Sequence, residues 1–236
     1  MSILKQKRFW ADAKADTRED GFGVFLDGRP VATPNKTPLI MPTRKMAEAA
    51  AAEWAAQDEK IDPLSMPVTR SANSAIDKVA PQQPEVVAML AEYGGTDLIC
   101  YRAAGPVELI ARQADRWDPL IDWAEAEFGG RLAVGEGVMH VPQDPALLSN
   151  LHVEVASFDN FALTAVHDLI AISGSLILGL AVTRGAVSVE DAWLLSRIDE
   201  HWQIEQWGED DEALDTESKK KAAFEHAERF YQLALA

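Results

Sequence analysis

The feature that most constrains the fold is a strongly apolar segment in the second half of the chain, Asn160 to Thr183. Asp159 precedes it as a predicted N-cap, and its centre, from Leu169 to Val182, has no charged side chain. A membrane-spanning helix needs about 20 apolar residues. The uncharged run is shorter, and His167 and Asp168 directly precede it. The pattern therefore predicts one long core helix, without stable membrane insertion.

Two further patterns predict how the helices pack and bend. Small residues recur within the apolar segment at every fourth position, at Ala171, Ser175 and Gly179. Positions four apart share one face of a helix, so this face should allow close approach of a neighbouring helix. Pro119 is expected to kink or break the helix that Pro106 opens, because proline removes a backbone hydrogen bond.

The N-terminal part has a different pattern, with short extended pieces followed by a helix. The dipeptide Asp27-Gly28 separates the apolar run Phe22–Leu26 from Arg29–Thr33. This dipeptide favours positive φ at both central positions of a type I′ turn, so a hairpin is predicted. A third extended piece and an alanine-rich helix follow, at Pro38–Pro42 and Met46–Gln57, with Thr43 as the helix N-cap.

The best candidate for a domain boundary is the segment Pro81-Gln82-Gln83-Pro84, because two prolines and two amides are expected to interrupt regular structure. Later segments have helical patterns, except Arg131–Val141, a glycine-containing loop with at most a short strand. The sequence therefore predicts an α+β protein. Its small N-terminal domain, residues 1–80, combines antiparallel strands with a helix, and its larger C-terminal domain, residues 81–236, is all helical.

Composition and charge disfavour some classes of function, such as binding to nucleic acids or to anionic membranes. With 22 basic and 38 acidic residues, the chain has a formal net charge of −16. That charge repels nucleic acids and anionic lipid surfaces and favours a partner with a basic patch. The single cysteine, Cys100, excludes an internal disulfide, and its apolar neighbours predict a buried, inert thiol. The basic N-terminus lacks the apolar core of a secretory signal, so a cytoplasmic location is expected.

The densest mixture of aromatic, amide and carboxylate side chains lies between residues 196 and 212. It is predicted to form the second half of a helix that starts after Ser188 and stops at Gly208. Apolar spacing of three or four predicts a buried stripe of Ala192, Leu195, Ile198 and Trp202. A separate outward surface is predicted to bind a partner protein, and it comprises Asp199, Glu200, Gln203, Gln206 and Trp207.

Known motifs for a metal, a nucleotide or a catalytic nucleophile are absent from the sequence, because the five histidines are scattered and no Cys-x-x-Cys, Walker-type or Gly-x-Ser-x-Gly pattern occurs. No metal, cofactor or catalytic residue is therefore predicted. One alternative is a hydrolase that uses a carboxylate cluster of Asp168, Asp199 and Glu200. The competing interpretation of Asp168 is a core carboxylate paired with an arginine, with Arg112, Arg116 and Arg197 as candidates.

One segment resembles the C-terminal signature of the assembly chaperones for the alpha subunit of F-type ATP synthase, found in mitochondria and alpha-proteobacteria. It is Ile198-Asp199-Glu200-His201-Trp202-Gln203-Ile204-Glu205-Gln206-Trp207-Gly208. The likeness continues in order along much of the chain. It includes Arg8-Phe9-Trp10, Leu26-Asp27-Gly28-Arg29-Pro30-Val31, Glu53-Trp54-x-x-Gln57, Ile61-Asp62-Pro63-x-x-Met66-Pro67, Asp97-Leu98-x-Cys100-Tyr101-Arg102 and Trp117-Asp118-Pro119-Leu120.

The resemblance implies a small α/β domain before a helical domain, and it implies no enzymatic activity. It implies that the protein binds the unassembled alpha subunit, shields it from aggregation and yields it to the beta subunit during assembly of the catalytic head. An acidic residue before Gln-x-x-x-Trp-Gly is critical in the family, and here that role falls on Asp199 or Glu200. An ATP-independent assembly chaperone is thus the leading prediction. The hydrolase and a helical adaptor for another client are the alternatives.

Overall fold

The computed structural model describes residues 7–208 and 211–236. The chain divides into two compact units. Unit 1 takes the residues up to Gln83 together with Asp159–Ala165 and Arg229–Ala236, and unit 2 takes Pro84–Phe158 and Val166–Glu228. A small region of antiparallel strands precedes a largely helical part, which confirms the α+β class. The part after residue 80 was predicted to be all helical, but it also contains one short pair of strands, Tyr101–Arg102 and Gly135–Glu136. The division into independent domains at residues 80 and 81 remains a prediction.

The strands form one four-stranded sheet and one short parallel pair. In the sheet, β2 lies between β1 and β3 and also pairs with β4, and all of these pairings are antiparallel. The parallel pair joins β5 to β6. The strands are β1 Ala13–Arg18, β2 Gly21–Leu26, β3 Arg29–Pro30, β4 Ile40–Met41, β5 Tyr101–Arg102 and β6 Gly135–Glu136.

The predicted hairpin is confirmed. Leu26 pairs with Arg29, which leaves Asp27 and Gly28 as a two-residue loop with φ values of 48° and 78°. The Asp27 carboxylate also accepts hydrogen bonds from the backbone N–H groups of residues 11 and 12, so it fixes the approach of the preceding chain. Strand β1 was not predicted, because its alternating positions carry only alanine and threonine, which give a weaker signal than large apolar side chains.

Ten helices occupy the part of the chain that the structure describes. Shorter helical turns, mostly of 3₁₀ type, connect several of them. The helices are α1 Arg44–Ala55, α2 Pro67–Ser74, α3 Gln83–Glu92, α4 Val107–Phe128, α5 Pro145–Ala156, α6 Asn160–Ser173, α7 Leu176–Thr183, α8 Val189–Ser196, α9 Ile198–Trp207 and α10 Asp211–Leu235. None of the helices in the described ranges has both the length and the apolar character of a membrane span.

The predicted long apolar helix is two helices, so that prediction was wrong. Gly174 has a φ of 75°, which ends α6 in the left-handed conformation that glycine adopts most easily. Ser175 then caps α7 by accepting the Leu178 N–H at 3.0 Å. The predicted face of small residues does not form across this break. Gly179 instead lies against the side chain of Ile170.

A buried carboxylate stabilises this break. Asp97 accepts a hydrogen bond from Ile99 N through Oδ1 at 3.2 Å and one from Ile177 N through Oδ2 at 3.0 Å. Desolvation raises the pKa of Asp97 to about 6, while the hydrogen bonds act in the opposite direction. The side chain therefore satisfies backbone donors at the start of α7 that the helix itself leaves unpaired.

Both proline segments lie within helical structure. Helix α4 continues through Pro119, so the predicted break does not occur, and the predicted kink stays a prediction. The segment at residues 81–84 does not interrupt regular structure either. A 3₁₀ turn, Ala80–Gln82, leads directly into α3, because proline is tolerated in the first turn of a helix.

The polar residues of the segment Glu53-Trp54-x-x-Gln57, at the end of α1 and just after it, bond within unit 1. Glu53 accepts hydrogen bonds from Val68 N at 2.7 Å and from Thr69 N and Oγ1 at 2.8 Å, so it caps the first turn of α2. Gln57 is buried, accepts from Asp62 N at 2.6 Å and donates to Ser65 Oγ at 3.0 Å. These two side chains hold α1 to the connector that leads into α2.

Candidate functional site

The candidate site lies at a break between α8 and α9, where one continuous helix was predicted. Arg197 separates the two helices with φ −119° and ψ 17°. The predicted buried stripe is only partly realised. Ala192 and Ile198 are buried, whereas Leu195 and Trp202 are half-buried. The reason is that the stripe requires one unbroken helical register, and the break at Arg197 changes it.

Helix α4 fixes both sides of this break. The buried Trp117 donates its indole Nε1–H to Leu195 O at 2.9 Å, which satisfies a carbonyl group in the last turn of α8. One turn earlier on α4, Gln113 donates from Nε2 to Asp199 Oδ1 at 2.6 Å. The two contacts therefore position the end of α8 and the first turn of α9.

Asp199 is the least compensated carboxylate of the predicted surface. It is half-buried, and burial raises the pKa of its carboxyl group, while the hydrogen bond from Gln113 lowers that pKa and the charge on Glu200 raises it. Arg197 and Lys220 line the same cavity, but within the described residues no ion pair to Asp199 is formed. A partly desolvated negative charge is thus held by a neutral donor.

The other two acids of α9 are paired with arginines. Glu200 accepts from Arg197 Nη1 at 2.8 Å. Glu205 accepts a bidentate pair of hydrogen bonds from Arg112, at 2.7 and 2.9 Å, and this arginine lowers the pKa of the Glu205 carboxyl group. Arg112 also lies over the Trp202 ring, 4.8 Å from its centroid.

A cavity of about 700 Å³ brings part of the predicted surface together. Asp199, Glu200 and Gln203 line it, whereas Gln206 and Trp207 do not. Both of the latter are exposed at the end of α9, and the Trp207 side chain is 75% exposed. The segment 196–212 that the sequence singles out continues past Gly208, and residues 209 and 210 lie outside the described ranges.

Gln113 and the arginines that pair with α9 were missed as parts of the site. Gln113 shares the core-facing side of α4 with Leu109, Trp117 and Leu120, so a polar amide at an apolar position was the available signal. Arg112 and Arg197 gave no such signal. Their pairing with Glu205 and Glu200 depends on distances that only the folded chain defines.

The carboxylate cluster of the alternative hydrolase does not form at this cavity. Asp168 is not among its lining residues. The expected arginine partner of Asp168 is also wrong, because its carboxylate is 42% exposed and contacts His167 Nδ1 at 2.9 Å. No group of histidine, cysteine or acidic residues in the described ranges could hold a metal ion. Cys100 is buried as predicted, and desolvation raises the pKa of its thiol to about 12.

Comparison with known proteins identifies the family. Residues 7–125 match the family model described as ATP12 chaperone protein. A crystal structure of Atp12 from Paracoccus denitrificans is 54% identical to this chain, with a TM-score of 0.94 over 97% of this chain and 98% of that one. An aspartate-to-lysine mutant of the same protein matches at 53% identity and a TM-score of 0.94, over 97% of both chains.

A third match is a candidate chaperone from Agrobacterium tumefaciens, 40% identical, with a TM-score of 0.91 over 96% of this chain and 85% of that one. These matches confirm the resemblance at the level of the family and the fold, and they support a chaperone role. They point away from an enzyme, since the family and the Agrobacterium protein carry chaperone names. The chain belongs to the ATP12 chaperone family.

Proposed function

We propose that this chain is an ATP-independent chaperone that binds the unassembled alpha subunit of F-type ATP synthase and promotes assembly of the catalytic head. Membership of the ATP12 chaperone family supports a protein partner. The net charge of −16 suits a client surface that presents basic residues. Its predicted place of action is the bacterial cytoplasm.

The observation that carries the proposal is the state of Asp199. Its carboxylate is half-buried and bonded to the neutral amide of Gln113, so its charge is available to a cation on the client. A buried, hydrogen-bonded charge pair across an interface contributes more than a pair at an exposed rim. Asp199 is accordingly the critical acid of this surface, in preference to Glu200, which already pairs with Arg197.

The remaining predicted residues extend the surface around Asp199. Gln203 and Gln206 are exposed amides, which both donate and accept hydrogen bonds. Trp207 is an exposed aromatic of the kind that anchors protein interfaces. We assign Gln203, Gln206 and Trp207 to client contact and Glu200 to a supporting role at the rim.

A capture experiment tests the choice of client. The full-length protein, immobilised through a tag, is presented with purified alpha and beta subunits separately and at equal concentration. Capture of alpha in clear preference to beta is expected. Equal capture of both subunits, or no capture of alpha, would contradict the proposal.

Charge reversal tests the choice of residue. Asp199→Lys should weaken binding of the alpha subunit by at least about a hundredfold, because like charges then face each other at a partly desolvated contact. Glu200→Lys should weaken it by less than about tenfold, because Glu200 is already neutralised by Arg197. Binding is measured by isothermal titration calorimetry, and circular dichroism checks that both variants are folded.

The Paracoccus relative supports the use of such a variant. A solved structure of its aspartate-to-lysine mutant matches this chain with a TM-score of 0.94, so a reversal of this type leaves that protein folded. Wild-type affinity in the folded Asp199→Lys variant would remove Asp199 from the mechanism. An effect of Glu200→Lys larger than that of Asp199→Lys would exchange their roles.

A further inference from the structure

We infer that Gln113 is a positioning residue that aims the Asp199 carboxylate at the client, an inference that rests on the proposed function. Gln113 is only 1% exposed and lies on the core-facing side of α4, so it cannot itself form the client contact. Its Nε2 donates to Asp199 Oδ1 at 2.6 Å. The role of Gln113 is therefore exerted through Asp199.

The orientation of the Gln113 amide is fixed by its other end. Gln113 Oε1 accepts the backbone N–H of Ala103 at 2.8 Å. A reversed amide would place its NH₂ group against that N–H and its oxygen against the Asp199 carboxylate, and both contacts would be repulsive. Gln113 can therefore act toward Asp199 only as a donor.

The spacing of the contacts explains why Gln113 controls the direction of the Asp199 side chain. Gln113 and Trp117 are four residues apart on α4, and their partners Asp199 and Leu195 are four residues apart on the other side. Residues four apart share one face of a helix, so Gln113 and Trp117 lie together on α4 and contact the two sides of the break at Arg197. The direction of Asp199 is thus set by α4 as well as by the first turn of α9.

A neutral donor has an advantage that an arginine would lack. Arginine contacts hold Glu200 and Glu205, but they also neutralise the charges of those acids. An amide restrains the Asp199 side chain and leaves its negative charge uncompensated for a cation of the client. Such preorganisation lowers the entropic cost of binding.

Gln113→Glu is the primary test, because it keeps the size of the side chain and the acceptor toward Ala103 while it replaces the donor toward Asp199 with an oxygen. Affinity for the purified alpha subunit should fall by about tenfold or more.

The matched control is Gln143→Glu. Gln143 is also buried in unit 2, at 8% exposure, but among the described residues its side chain bonds only to the backbone of residues 133 and 141. That control should bind within about twofold of the wild type, whatever stability it loses.

A spectroscopic measurement separates positioning from a merely structural role. Gln113 from α4 bonds to Asp199, and the charged groups that line the same cavity are Arg197 at the helix break, Glu200 from α9, and Glu217 and Lys220 from α10. Titration of the Asp199 carboxyl carbon by NMR should show a higher pKa in Gln113→Glu than in the wild type, because the charged form loses its donor and gains a second carboxylate. Gln143→Glu should leave the pKa of Asp199 unchanged. If Gln113→Glu does not fold, Gln113→Met replaces it, because methionine removes the donor without adding a charge. Gln113→Met should likewise lower the affinity for the alpha subunit and raise the pKa of Asp199.

A donor and acceptor exchange completes the test. Gln113→Glu combined with Asp199→Asn restores one hydrogen bond between the two side chains but moves the charge into the core. Its stability should recover relative to Gln113→Glu alone, and its affinity for the alpha subunit should remain at the level of Asp199→Asn. Recovery of wild-type affinity would overturn the inference.

The outcomes distinguish the inference from the function on which it rests. Unchanged affinity and an unchanged Asp199 pKa in the folded Gln113 variants, with lost affinity in Asp199→Asn, would overturn the positioning role and leave the proposed function intact. Wild-type affinity in Asp199→Asn itself would instead overturn the proposed role of Asp199.

Discussion

The end of α1 with the residues that follow it, and helix α9, carry the same kinds of polar side chain and use them in opposite ways. In unit 1, Glu53 accepts hydrogen bonds from the first turn of α2, and Gln57 accepts one from the connector before that helix. In unit 2, the first turn of α9 presents Asp199, which has one neutral partner and no ion pair within the described residues. The exposed amides Gln203 and Gln206 follow it.

The difference shows how a family motif can be divided into structural and functional parts. Both segments resemble the family, so resemblance alone does not say which residues contact a partner. A carboxylate whose oxygens are all bonded to the backbone is explained by folding. A half-buried carboxylate with an uncompensated charge is not, and it is therefore the better candidate for binding.

The largest expected effect on stability concerns Asp97. This carboxylate of unit 2 accepts hydrogen bonds from backbone N–H groups, as Glu53 does in unit 1. Because the pKa of Asp97 is raised from 3.8 to about 6, the folded state binds its proton more tightly than the unfolded state. The free energy of unfolding should therefore fall by roughly 3 kcal/mol as pH rises from about 4 to about 6, and this contribution should be constant above that range.

Asp97→Asn isolates this contribution, since the amide does not titrate. The difference in the free energy of unfolding between the wild type and the variant should shrink by about 3 kcal/mol between pH 4 and pH 7, measured by urea denaturation at a constant m-value. A difference that is independent of pH would show that Asp97 does not carry a raised pKa. The analogy between Asp97 and Glu53 would then fail.

The next effect concerns Glu53 itself. Glu53→Ala leaves the N–H groups of Val68 and Thr69 without their acceptor, and both residues are buried. A loss of about 2–3 kcal/mol in the free energy of unfolding is expected, with unchanged affinity for the alpha subunit. Glu48→Ala, at an exposed position on the same helix, is the control and should change stability by less than about 0.5 kcal/mol. A selective loss of client binding in Glu53→Ala would break the distinction between the two helices.

The smallest effect concerns Trp207, which is 75% exposed at the end of α9. Trp207→Ala should change the free energy of unfolding by less than about 0.5 kcal/mol, because an exposed side chain contributes little to folding. Affinity for the alpha subunit should fall by about fivefold to tenfold, equal to about 1 kcal/mol. Val153→Ala, at another exposed apolar position of unit 2, should leave affinity unchanged in the same calorimetric measurement. A large loss of stability in Trp207→Ala would assign this residue to folding.

Local chemistry made much of the fold predictable. Asp27-Gly28 determines the turn of the hairpin, and Thr43, Asp144 and Ser188 cap the helices that follow them, as expected for short polar side chains. The continuity of the long segments was not predictable in the same way. Tertiary hydrogen bonds stabilise the helix ends at Gly174 and Arg197. Asp97 accepts the Ile177 N–H at the first break, and Trp117 and Gln113 donate to Leu195 O and Asp199 Oδ1 at the second.

By itself, the sequence determined the fold class, the positions of most helix starts, the family resemblance and the proposed client surface on α9. Each of these depends on interactions between residues close in the chain or on a recognisable order of residues. Only the tertiary structure distinguished Asp199 from Glu200 and Glu205. The charge state of a carboxylate depends on its burial and on its partners, and Gln113, Arg197 and Arg112 reach these acids through packing that no local pattern encodes.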